Sequence, residues 1–107
     1  MEGEATQDAQ AAALRARAAE VADRLALLAN DRRLLILCAL ASGERSVGQL
    51  QEAVGLSQSA LSQHLARLRG SGMLVTRREG QVIRYRIADP QVGLLMSALY
   101  DAFCREG

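Results

Sequence analysis

The chain has 107 residues, half of them hydrophobic and 23% charged, with a formal net charge of +1. That composition and length suit one folded domain, since domains commonly run about 100–150 residues, and they exclude a disordered polymer. The longest aliphatic run, Leu34 to Ala41, falls far short of the roughly 20 apolar residues of a membrane span, so no membrane partner is expected.

The opening "MEGEATQDAQ" is acidic and polar and carries no basic-then-apolar signal. Residues 1–7 are expected to be a flexible terminus, and residues 8–107 a single domain in the cytoplasm. Thiols stay reduced there, so two cysteines are either inert packing or chemistry. From Asp8 to about Ala29 the apolar positions Leu14, Ala18, Val21, Leu25 and Leu28 alternate four- and three-residue steps, which predicts a helix with a narrow seam. Asn30 can cap the next helix and Asp31 puts a favourable charge at its start. "RRLLILCAL" then reads as a helix that is apolar on every side, ended by Gly43 and therefore central to the fold.

Two short helices follow over 46–70. Ser46 caps the first, built on Val47, Leu50 and Val54; Gly55 supplies a left-handed turn; Ser57 caps the second, built on Leu61, Leu65 and Leu68. This is the helix-turn-helix unit. Gln58, Ser59, Ser62 and Gln63 lie off the leucine stripe and have the short, hydrogen-bonding chemistry that reads base edges in a major groove. Over 73–87 the periodicity switches to two around Glu79-Gly80, which predicts a two-stranded hairpin. All thirteen basic residues of the chain are arginine. From Ser57 to Ala88 the charged residues are Arg67, Arg69, Arg77, Arg78, Arg84 and Arg86 against Glu79, a local balance of +5. Such a patch fits a polyanion, and with only three aromatics to stack on single-stranded bases, a nucleic-acid partner is expected to be duplex. Asp89-Pro90 starts a last helix over 90–105, whose seam is Val92, Met96, Leu99 and Phe103.

At these residues the chain resembles the ArsR/SmtB family of bacterial winged-helix repressors. "LLANDRRLLILCAL" is similar to the family's "LADPTRLRIL" signature, and "SVGQLQEAVGLSQSALSQHLARLRGSGMLVTRREGQVIRYRI" to its helix-turn-helix and wing. The resemblance implies a mainly α fold of five helices with a two-stranded wing, and a homodimer formed through the first and last helices (8–29 and 90–105). It implies a dimer that binds an operator of dyad symmetry and represses until an inducer lowers its affinity for DNA. By position in the motif, Gln58, Ser59, Ser62 and Gln63 match the base-reading residues. His64 beside them is a phosphate or base contact, or a surface histidine with no task. Arg67 ends the same helix, and Arg77, Arg78, Gln81 and Arg84 match the wing.

Metal-sensing relatives place thiols at the start of the helix-turn-helix or histidines on the last helix. Here the corresponding segments are "SVGQLQEAV" and a helix with Asp101 and no histidine. Soft metals need clustered thiolates and borderline ones need histidine with carboxylate, so neither a metal nor any other cofactor is expected. Taken alone, Cys38 and Cys104 read as small buried hydrophobes, as free cysteine commonly is. One cysteine in the second helix and one near the end of the last is, however, similar to the sulfide- and persulfide-responsive branch of the family (the SqrR, BigR and HlyU type). The resemblance implies that reactive sulfur species bridge Cys38 and Cys104. A peroxide- or thiolate-metal-responsive repressor of the same fold is the alternative. A thiol enzyme fits poorly, because no histidine lies near either cysteine in sequence and no oxyanion-type glycine loop exists, and a winged helix used only for protein contact fits poorly with the +5 balance of the reading region.

Overall fold

The computed structural model describes residues 2–105, with side chains from residue 7 onward. The chain divides into two compact units, one ending at Asn30 and the other starting at Asp31.

The first unit is helix α1, Glu2–Leu28, followed by a short turn. It begins at Glu2, before the Asp8 expected from the apolar spacing. Spacing reports only where the seam starts, whereas alanine-rich sequence favours helix whether or not a face is buried. On the solvent side Glu20 is held by Arg17 and Arg24, each at 2.9 Å, one turn before and one after it. Hydrogen bonds from Arg17 and then Arg24 lower the Glu20 carboxyl from 4.5 to about 2.

The second unit is built from α2 (Asp31–Ala41), β1 (Arg45–Ser46), α3 (Val47–Val54), α4 (Gln58–Gly70), β2 (Leu74–Glu79), β3 (Val82–Ile87) and α5 (Pro90–Phe103). Its core is aliphatic: Ile36, Leu37 and Leu40 of α2 are buried with Leu50 of α3, Leu61, Leu65 and Leu68 of α4, Leu74 of β2, and Val92 and Met96 of α5. Only one face of α2 enters this core. Leu35 is 52% exposed and Cys38 is also exposed, so the helix read as apolar on every side has an outer apolar face.

Local signals place the helix ends. Ser46 and Gln49 form a reciprocal capping box, with the Gln49 N–H donating to the Ser46 hydroxyl at 3.2 Å and the Ser46 N–H to the Gln49 side chain at 2.9 Å. Gly55 ends α3 at φ 68°, a left-handed conformation that disfavours residues with a Cβ. Ser57 caps α4 by accepting from the Ala60 N–H at 3.2 Å. Asp89 caps α5 by accepting from the Gln91 N–H at 2.9 Å, with Pro90 in the first turn.

β2 and β3 form an antiparallel hairpin in which Glu79 pairs Val82, leaving Gly80 and Gln81 as the loop. Gly80 has φ 63° and Gln81 has negative φ, the pattern of a type II′ turn. β2 and β3 form the expected two-stranded wing, and a third short strand extends the sheet to the order β1-β3-β2. β1 is two residues long, too short to show a period of two, and pairs Arg45 with Tyr85 and Ser46 with Arg84.

Candidate nucleic-acid interface and thiol groove

α4 presents a leucine face to the core and a polar face to solvent. Ser59, Gln63 and Arg67 follow one another at four-residue intervals along the outer face, with Gln58 and Ser62 beside them, and all five are exposed. His64 is half-buried at the edge of the leucine stripe, set apart from that outer face. Arg67 and Arg69 fall in the last turn, where the helix dipole also favours them.

In the wing, alternate residues face opposite sides, so the register sorts the charges. Arg77, Glu79, Arg84 and Arg86 share one face, and Arg78 lies on the other with Ile83 and Tyr85. Arg77 and Arg84 stand directly opposite each other, a like-charge pair that destabilises a hairpin unless countered. Glu79 counters it, 2.9 Å from Arg77 and 3.8 Å from Arg84. A second carboxylate does the same from outside the hairpin. Arg77 Nε and Nη2 donate to the two oxygens of Glu44, at 3.2 and 2.6 Å. Those hydrogen bonds hold the Glu44 carboxyl below its ordinary 4.5 and raise Arg77 above the usual arginine value. Arg78 Nε donates to the Gly80 carbonyl at 3.1 Å, bracing the turn, and Gln81 is exposed at the tip.

Thus the structure gathers Gln58, Ser59, Ser62, Gln63 and Arg67 on one helix face and Arg77 and Arg84 on one wing face. Arg86 joins the latter, although wing resemblance did not single it out. Sequence reading also missed Glu44, because nothing local links it to a partner 33 positions away.

The two cysteines line one groove. α2 packs against α5, and between them runs a groove of about 380 Å³ whose lining is almost wholly apolar. Cys38 and Cys104 both line it, with Leu34, Leu35, Met96, Leu99 and the rings of Tyr100 and Phe103. Both are exposed free thiols, which removes the reading of either as a buried core residue. Cys104 sits at the C-cap of α5, its N–H donating to the Tyr100 carbonyl at 2.9 Å, and Arg105 next to it pairs with Asp101 at 3.8 Å. Among the described residues no three histidine, cysteine or acidic side chains gather as a metal would require.

Residues 30–75 match the profile of the arsR family of bacterial regulatory proteins. The structure is similar to the transcriptional repressor BigR from Xylella fastidiosa, 42% identical, with a TM-score of 0.83, covering 87% of this chain and 95% of that one. The chain belongs to the arsR family. A second neighbour is reduced HlyU from Vibrio cholerae N16961, 41% identical with a TM-score of 0.81, covering 86% of this chain and 97% of that one. A third is a homodimeric winged helix-turn-helix DNA-binding domain from Mycobacterium bovis, 38% identical with a TM-score of 0.67, covering 80% and 83%. The profile spans α2 to the start of β2. The solved neighbours cover 80–87% of this chain, well beyond the segment the profile matches.

Proposed function

We propose that the chain is a dimeric, cytoplasmic DNA-binding repressor that senses reactive sulfur through Cys38 and Cys104 and leaves its operator when the two are bridged. The observation that carries the sensing half is the shared groove: two exposed thiols, distant in sequence, line one apolar channel between α2 and α5. Supporting the DNA half are the polar outer face of α4 and the arginine face of the wing, which suit base edges and phosphates respectively. Supporting the dimer are the uncovered apolar residues of both outer helices, Leu14 and Leu25 on α1 and Leu94 and Phe103 on α5, the last two 73% and 82% exposed.

The chemistry balances with persulfide as both sulfur donor and oxidant. Each cysteine thiolate attacks the outer sulfur of a persulfide, RSSH, and releases RSH, leaving a cysteine persulfide. One further RSSH oxidises the two cysteine persulfides to a tetrasulfide bridge and is itself reduced to RSH and hydrogen sulfide. The protein gains two sulfur atoms and loses two hydrogens. The bridge fastens α2 to α5 beside the surface where a second copy would pack. Reading heads must meet half-sites about 34–36 Å apart, so a small rotation between protomers misplaces one of them. A coupling of about 1–3 kcal/mol lowers DNA affinity roughly 5- to 150-fold.

The test is DNA binding before and after persulfide treatment, on wild type, Cys38→Ser and Cys104→Ser. Release by wild type and retention by both variants is expected. Release by either single variant would refute the bridge. Release by peroxide, with no sulfur gained, would instead favour a peroxide-responsive repressor of the same fold.

A further inference from the structure

We propose that Glu44 is a built-in rival of DNA phosphate for the wing's Arg77, so that this carboxylate limits how many phosphates the wing engages. The inference rests on the reading that the wing lies against DNA. A guanidinium offers five N–H donors along two bidentate edges, Nε with Nη2 and Nη1 with Nη2. Glu44 takes the whole of the first edge, at 3.2 and 2.6 Å, and Glu79 accepts from Nη1, at 2.9 Å. A phosphate that binds the Nε–Nη2 edge in fork fashion must therefore displace Glu44.

Glu44 is placed for this exchange. It belongs to the loop between α2 and β1, and the backbone on its C-terminal side is held in place. Arg45 Nε donates to the Ala39 carbonyl at 2.7 Å, and Arg45 and Ser46 pair with β3. Releasing Arg77 therefore needs only a new Glu44 rotamer, with no rearrangement of the fold. The pair is open to solvent, with the Arg77 side chain 51% exposed, and exposed ion pairs are weak enough to be exchanged for another anion. Charge arithmetic agrees: the wing face carries Arg77, Arg84 and Arg86 against Glu79, and Glu44 halves its net charge from +2 to +1.

The test measures binding of a mixed-sequence DNA duplex across a salt series by wild type, Glu44→Gln, Arg77→Ala and the double variant. Each new phosphate contact steepens the log–log salt slope by about 0.9; taking equal affinities near 1 M salt, that is roughly a fivefold gain per wing at 0.15 M. Glu44→Gln is expected to show both changes, and Glu44→Asp, which keeps the charge on a shorter arm, a smaller gain. In the Arg77→Ala background Glu44→Gln is expected to leave the slope unchanged. Weaker binding by Glu44→Gln, or a full gain without Arg77, would overturn the proposal. Wild type that binds with Glu44→Gln indistinguishable from it would overturn this inference alone. Wild type with no salt-dependent binding would overturn the DNA-binding reading and this inference with it.

Discussion

Two facing arginines, Arg77 and Arg84, are tolerated in a hairpin of six-residue strands because Glu79 sits on the same face and Glu44 reaches across from the α2–β1 loop. The pH dependence of stability follows in sign. The Glu44 carboxyl is lowered on folding, so its contribution is fully present above the ordinary value of 4.5 and is lost as pH falls through the lower folded value. Thermal melts taken downward from pH 5 should show wild type losing stability, and Glu44→Gln should lose less over the same range. At the reading helix, Gln63 is exposed in line with Ser59 and Arg67. Gln63→Ala is expected to reduce discrimination at its base pair by roughly 1–3 kcal/mol while leaving the salt slope intact. A competition assay between operator and single-base variants measures this. Residue chemistry was legible in the sequence where it was local, as in the polar stripe of α4. It was not legible where it depended on distant pairing: Glu44 gives no sign of Arg77, and Cys38 lies among aliphatic neighbours that hide its exposure.

The elements of the helix-turn-helix are specified by caps more than by composition. Ser46 and Gln49 satisfy each other's end of α3, and Gly55 provides the φ of 68° that reverses the chain toward α4. Ser46→Ala should lower stability by about 1 kcal/mol. Gly55→Ala has room for its methyl group but is expected to lose roughly 1–2 kcal/mol from the left-handed backbone. Denaturant melts of both variants read these losses. In α1 the Glu20 carboxyl is lowered to about 2 by Arg17 and Arg24, so those ion pairs support the helix above pH 4.5 and fail between 4.5 and about 2. Helicity followed by circular dichroism should fall less over that interval in Glu20→Gln. Caps and turns are short-range, which is why Ser46, Gly55, Ser57 and Pro90 could be read directly. β1 is held by two pairings to a strand 40 positions later, Arg45 with Tyr85 and Ser46 with Arg84, and no short-range pattern announces it.

On the scale of the molecule, the second unit joins a polar-faced helix, an arginine wing and a two-thiol groove around one aliphatic core. α2 borders both the groove and the sheet. Its inner face packs against α3 and β3, its outer face carries Cys38, and its last turn is tied through the Ala39 carbonyl to Arg45 and the sheet. A covalent link from Cys38 to α5 therefore restrains the element on which the wing's third strand is anchored. In the proposed mechanism that restraint favours one arrangement of a dimer over another, which is what a switch requires. The decisive measurement is intact mass of the protein taken from the same titration that follows operator release under persulfide. Loss of DNA should track, one for one, the species that has gained two sulfurs and lost two hydrogens, and should be reversed by a thiol reductant. A fully bridged protein that still holds its operator with undiminished affinity would contradict the mechanism.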